Sequence, residues 1–210
     1  MSALPVLMYH HVTPQPGLVT VSPQTFRSHM AWLASHGYRG VGTEALADFL
    51  AGRPLPPKSV VITFDDGYLD NYVYAHPVLA EFGLKAVLFL VTGWLGEGPV
   101  RPCLGQGRPL PETPNHRQCM DRVSAGASDE VMLRWSEVAH MAAAGTFEFH
   151  SHTHTHTRWD KLENDPMVRR QRLGQDLQQS REALVNHLGQ CSSHLCWPQG
   201  YYDDAYVQVA

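Results

Sequence analysis

An α/β fold of parallel strands and covering helices is what this sequence predicts, and three observations carry the prediction. Short apolar runs alternate along the chain with stretches of helical periodicity. The run at residues 86–91 is almost uninterruptedly apolar, as expected of a parallel strand covered on both faces. Glycines stand where the helical stretches end, at Gly37, Gly83, Gly145 and Gly189. A right-handed succession of βα units gives either a barrel or an open doubly wound sheet, and periodicity alone does not choose between them.

Taken in order, residues 6–9 read as the first strand. Ser22 then caps a helix over 23–36, with Pro23 in its first position. Residues 43–50 repeat the pattern as a shorter helix. Residues 60–64 form a buried strand, followed by a helix over 71–82 in which Pro77 predicts a bend. After the strand at 86–91, residues 96–128 break the rhythm. Their prolines, glycines and polar residues make a loop longer than compact domains usually carry, with Cys103 and Cys119 inside it. A helix over 136–144, a strand at 147–149, a long helix over 165–188 and a final strand at 194–197 complete the succession.

At 210 residues and 43% hydrophobic, the chain suits one domain with a single sizeable core, interrupted by the insertion at 96–128. A net charge of -4 gives no electrostatic reason to expect nucleic acid or an anionic membrane as partner. The four cysteines include no CxxC pair, so neither a zinc knuckle nor a disulfide framework is indicated. No apolar run approaches the ~18 residues of a transmembrane helix. Met1 to Pro5 lead directly into the first strand with no basic or cleavable apolar segment, which predicts a cytoplasmic location, or an envelope location if a leader has been removed.

The chemistry concentrates in two places. Thr63-Phe64-Asp65-Asp66-Gly67 ends the buried strand at 60–64, so two carboxylates sit where the chain turns. His150, His152, His154 and His156 follow the strand at 147–149. Open α/β folds and barrels place their sites at the carboxyl ends of strands. Aspartates are common as turn and helix-capping residues, but two adjacent carboxylates repel each other, and a cation relieves the repulsion. One carboxylate and two histidines leave an open coordination position, the arrangement of a catalytic zinc, while the second aspartate is free to act as a base. Ligands four residues apart are either His150 with His154 or His152 with His156, and spacing does not assign which aspartate does which. The constellation is that of a hydrolase.

These motifs resemble the polysaccharide deacetylases, carbohydrate esterase family 4, which remove acetyl groups from N-acetylated sugars with a divalent metal. The likeness extends over Pro5 to Val12, similar to the opening strand of one branch. It continues in Leu133-Arg134-Trp135-Ser136-Glu137 through Gly145, and in Cys196-Trp197-Pro198-Gln199-Gly200-Tyr201. The resemblance implies a distorted (β/α) barrel of about seven strands. It implies Asp66, His152 and His156 as metal ligands and Asp65 as the base, with zinc favoured and cobalt or nickel as alternatives. His150 is then a core or supporting histidine. Pro198, Gln199, Gly200 and Tyr201 would shape the acetyl pocket, with backbone N–H groups at Gln199, Gly200 and Tyr201 facing the oxyanion. The insertion is either a surface loop of weak order or a lid over the sugar.

The sequence departs from the family pattern in two respects. Cys196 stands where many members carry an arginine that orients the catalytic aspartate. No Leu-x-His follows Cys196, so the histidine that protonates the leaving amine is missing, and His10, His11 and His154 are the nearby candidates. The barrel is therefore expected to lack its last C-terminal elements. Its exposed edge would favour homo-oligomers, or disorder over residues 201–210. The implied activity is removal of N-acetyl groups from N-acetylhexosamine units of a cell-surface polysaccharide or its lipid-linked precursor. The alternatives are a catalytically impaired sugar- or metal-binding domain of the same fold, or an amidase acting on a non-sugar C–N bond.

Overall fold

The computed structural model describes residues 3–210; Met1 and Ser2, expected to run straight into the first strand, lie outside the described residues. Seven strands are present among them: β1 (Val6–Tyr9), β2 (His11–Val12), β3 (Thr20–Val21), β4 (Arg39–Val41), β5 (Ser59–Asp66), β6 (Ala86–Leu90) and β7 (Phe147–Ser151). Five of them make one parallel sheet, and β2 and β3 pair separately. β5 is its axis. Val61 lies opposite both Val6 of β1 and Val41 of β4, so those two strands occupy opposite edges of β5. β6 takes over from β4 along the upper half, from Thr63 opposite Val87 to Asp66 opposite Leu90. The hand-over requires a glycine: a Cβ on Gly40 would lie 2.2 Å from the Lys85 carbonyl oxygen. β7 extends the sheet beyond β6.

Helices α1 (Pro23–Ser35), α2 (Thr43–Leu50), α3 (His76–Phe82), α4 (His116–Ser124), α5 (Trp135–Ala143), α6 (Trp159–Leu162), α7 (Pro166–Leu188) and α8 (Asp204–Val209) surround it. Ser22 caps α1 by accepting the Thr25 N–H at 3.0 Å, and Phe26, Met30 and Leu33 form its buried stripe. These side chains join Ile62, Phe64, Leu88, Val138 and Met141 in the main core. A smaller cluster of Tyr68, Cys119, Val131 and Met132 lies under the insertion.

Four expectations are corrected. The helix over 71–82 is a π-helical turn (Asn71–Ala75) followed by α3, because Pro77 has no N–H to give to the carbonyl four residues back. The insertion at 96–128 is not a loose loop. It carries α4, capped by reciprocal Asn115 and Gln118 bonds, and both Cys103 and Cys119 are buried. Arg101 anchors its start on the fully buried Glu137. The strand at 194–197 shrinks to one bridge between Leu195 and Ser151, since the Ser192 hydroxyl turns the chain just before it and Pro198 ends it just after. Residues 201–210 are ordered: Asp203 caps α8 and Tyr206 is buried. The sheet does not close among the described residues, in keeping with an incomplete barrel.

Candidate metal centre

Asp65 and Asp66 are neighbours in a strand, where side chains point to opposite faces. Asp66 has φ 74°, a left-handed conformation uncommon outside glycine, and Gly67 follows at φ 90°. The alternation therefore breaks at Asp66, and both carboxylates turn into one pocket at the end of β5. Both are buried.

The histidine segment leaves β7 through a second set of left-handed residues, Thr153 (φ 68°) and His156 (φ 59°). Side chains hold this strained path. Ser151 Oγ accepts the Thr153 N–H at 3.0 Å, and Thr153 Oγ1 accepts the His156 N–H at 3.1 Å. From α7, the buried Asp176 carboxylate accepts four bonds, from the His154 and Thr155 N–H groups, the Thr155 hydroxyl and Trp159 Nε1. The curl brings the His152 and His156 rings to 5.0 Å between centroids.

Their Nε2 atoms each lie 3.5 Å from Asp66 Oδ1. Ligand atoms of Asp66, His152 and His156 are all within 4.8 Å of one another, a cluster of the kind that holds a divalent metal. The donor set fits such an ion on two counts. Asp66 Oδ1 is buried without a hydrogen-bond partner, which is costly unless a cation satisfies it. His152 Nδ1 donates to the Cys196 carbonyl at 2.8 Å, which fixes the tautomer and leaves the Nε2 lone pair facing Asp66. Burial takes the His152 pKa down to about 4, against the pull of Asp66, so the ring is neutral as a ligand must be. Burial lowers His156 in the same way.

The other candidates separate. His154 turns aside to bond the Thr92 hydroxyl at 3.0 Å, and His150 lies with Thr43, Glu148 and Ser192, so these two histidines do not form a pair. His11 is fully buried on Asp70. His10, in contrast, faces the site: its Nε2 is 3.8 Å from Asp65 Oδ2. Burial lowers its pKa, with Asp66 opposing. For Asp65, burial and then the Asp66 charge push the carboxyl up to about 7.

Cys196 supplies no charge to Asp65, because burial pushes its thiol up to about 12. Its contribution to the site is the carbonyl that orients His152. In the turn at Pro198–Gly200, Gly200 and Tyr201 spend their N–H groups on Trp197 and Pro198 carbonyls. Of the three N–H groups expected to face an oxyanion, only that of Gln199 is left for it. The Tyr201 ring lies 3.8 Å under the Arg158 guanidinium.

Sequence reasoning missed three contributors. Asp176 lies mid-helix with no motif around it. Trp94, after β6, stands 5.2 Å from the His156 ring. His116, from the insertion, reaches His11 and Tyr68 beside the same region.

Comparison with known proteins completes the picture. The family profile described as polysaccharide deacetylase matches residues 52–210. YxkH of Bacillus subtilis (strain 168) is 40% identical over 94 residues, 44% of this chain and 33% of that protein. The poly-beta-1,6-N-acetyl-D-glucosamine N-deacetylase of Escherichia coli (strain K12) is 33% identical over 93 residues, 42% of this chain and 14% of that one. The chain thus matches a third or less of the length of these relatives. Among solved structures, IcaB from Ammonifex degensii superposes with a TM-score of 0.72 at 26% identity, over 98% of this chain and 78% of that one.

Proposed function

This chain belongs to the polysaccharide deacetylase family, and on that footing we propose that it removes N-acetyl groups from N-acetylhexosamine units of a cell-surface polysaccharide or its lipid-linked precursor. The observation that carries the reading is the orphaned Asp66 Oδ1 between two neutral imidazoles, with Asp65 and His10 facing each other beside it. Asp66, His152 and His156 would hold one divalent metal, and imidazole with carboxylate suits zinc within the zinc–cobalt–nickel group. Bound there, the ion supplies Lewis-acid polarisation to the acetyl carbonyl and the attacking water.

The chain's own groups do the rest. Asp65 takes the proton from the water. The Gln199 N–H faces the carbonyl oxygen as it gains charge. His10, whose Nε2 faces Asp65 Oδ2, passes the proton that Asp65 has taken from the water on to the departing amine. The 3.8 Å approach of His10 to Asp65 supports this assignment.

Acetate release from a β-1,6-linked N-acetylglucosamine pentamer tests the proposal. Release is expected to stop with a chelator and return with zinc. No release by the zinc-loaded protein, or release indifferent to chelation, would overturn it. Metal content is expected to collapse in His152→Ala and His156→Ala and to persist in His150→Ala. His10→Gln is expected to slow glycan deacetylation strongly while sparing an aryl acetate, whose leaving group needs no proton.

A further inference from the structure

The deacetylase reading leaves unused a buried chain of polar groups that ends beside the metal centre. Asp70, 2% exposed, accepts from His11 Nδ1 at 2.6 Å, from the Val12 N–H at 3.0 Å and from Asn71 Nδ2 at 2.9 Å. His11 is fully buried and stacks on Tyr68 at 3.7 Å. Its Nε2 lies 3.2 Å from Nδ1 of His116, the first residue of α4. The Tyr68 hydroxyl donates to Met120 Sδ and places its oxygen 3.3 Å from the same His116 nitrogen.

One assignment of protons satisfies every member of this network. Asp70 is acceptor only, so His11 Nδ1 carries hydrogen, and in the neutral ring Nε2 then offers a lone pair. His116 Nδ1–H is then shared between His11 Nε2 and the Tyr68 oxygen. His116 Nε2 is left as an acceptor with no protein partner among the described residues.

Packing fixes the place of α4. Cys119, one turn along α4, belongs to the small core with Tyr68, against which Trp94 packs. The Trp94 ring in turn borders His156. Thr13 Oγ1 donates to the Thr113 carbonyl at 2.7 Å and fastens the insertion just before α4. His116 is half-buried, and burial, His11, Asp66, His10 and His156 all bear on its proton affinity, the net effect being a lowering. The residue thus lies within the field of the metal centre.

We propose that His116 is a glycan-binding residue of this site, its Nε2 accepting a hydrogen bond from a sugar hydroxyl, and that Asp70 and His11 are the positioning residues that fix its tautomer. The insertion then acts as one wall of the sugar site. The inference rests on the deacetylase reading for the identity of the ligand. A carboxylate–imidazole pair buried this completely is costly to build merely as a staple. Setting one exposed acceptor is a use that matches its cost.

The test compares wild type with His116→Phe, which keeps a ring of similar bulk, and His116→Gln, which keeps an acceptor. Three readouts are needed: melting temperature, KM for the β-1,6-linked N-acetylglucosamine pentamer, and turnover of 4-methylumbelliferyl acetate, which has no sugar. His116→Phe is expected to raise the glycan KM roughly three- to tenfold, the range of one neutral hydrogen bond, with kcat and ester turnover little changed, and to lower the melting temperature because the buried His11 Nε2 loses its donor. His116→Gln is expected to recover part of the loss. An unchanged glycan KM in His116→Phe overturns the proposal. So does a parallel loss on glycan and ester, which would mark His116 as a structural staple. Should wild type prove inactive on both substrates, the deacetylase reading fails. Pentamer binding to the metal-free proteins, followed by tryptophan fluorescence, then still decides for or against His116 by the same three- to tenfold difference.

Discussion

Asp65, the proposed base, bears on stability as well. Burial, with the Asp66 charge second, pushes it up to about 7, well above the ~3.9 of an exposed aspartate. The folded metal-free chain therefore holds a proton that the unfolded chain gives up. The stability this contributes is complete below about pH 4 and is lost as the pH rises through about 7. Asp65→Asn has no such proton to lose, so the metal-free variant is expected to gain in melting temperature over wild type between about pH 5 and about pH 8. Parallel melting curves of the two proteins across that range would remove the strain from Asp65. A divalent ion on Asp66 offsets the repulsion, so zinc is expected to stabilise wild type more at about pH 8 than at about pH 5. In the zinc-loaded protein, Asp65→Asn should retain metal and lose about 10²–10⁴-fold in turnover, the usual effect of removing a general base. Unimpaired turnover would take Asp65 out of the mechanism. The two aspartates were legible as a site because adjacent carboxylates at a strand end are hard to explain otherwise. Which one faces the histidines was not, because it depends on the left-handed φ of Asp66, a torsion that no spacing rule reveals.

At the scale of elements, the histidine segment depends on α7. Four donors converge on Asp176, and they hold a loop with two left-handed non-glycine residues. An amide in place of that carboxylate offers one acceptor oxygen and turns two donors toward N–H groups. Asp176→Asn is therefore expected to weaken zinc binding about 10- to 100-fold, the range found for groups that support metal ligands. Zinc competition against a chromogenic chelator measures it, and affinity equal to wild type would show that Ser151 and Thr153 hold the loop unaided. The helix was readable from Asp165, Pro166 and Gly189, which cap, open and close it. The function of Asp176 was not, since the residues it binds lie about twenty positions earlier and the contact exists only after folding. The insertion illustrates the opposite case. The Asn115–Gln118 capping pair was present in the sequence, but the surrounding prolines and glycines masked it, and a region read as loop proved to deliver a helix to the rim of the site.

The whole molecule is governed by how its sheet ends. The alternation of strands and helices made the α/β class legible, yet closure of a barrel depends on pairing between distant strands and leaves no local trace. β5 is covered on both edges, whereas β1 among the described residues pairs only with β5, and its outward residues Val6 and Met8 are 52% and 66% exposed. Beside it lies a groove of about 520 Å³ with Leu7, Tyr9, Trp32 and Tyr38 in its lining. A parallel edge strand with apolar residues outward and no charge within Val6–Tyr9 lacks the devices that usually keep edges apart. A second copy offers the same unpaired edge and the same apolar lining, so two copies can cover both by a twofold-related contact. We expect this chain to associate with itself as concentration rises, with little dependence on salt, because the contact would bury apolar surface rather than charge. Met8→Lys places a charge on the exposed edge and should shift the population to monomer. It leaves His10 and Asp65 in place, so metal content should not change. Light scattering across a range of concentrations reads the outcome directly: a wild-type monomer throughout, or association that survives in Met8→Lys, would show that β1 is not the contact.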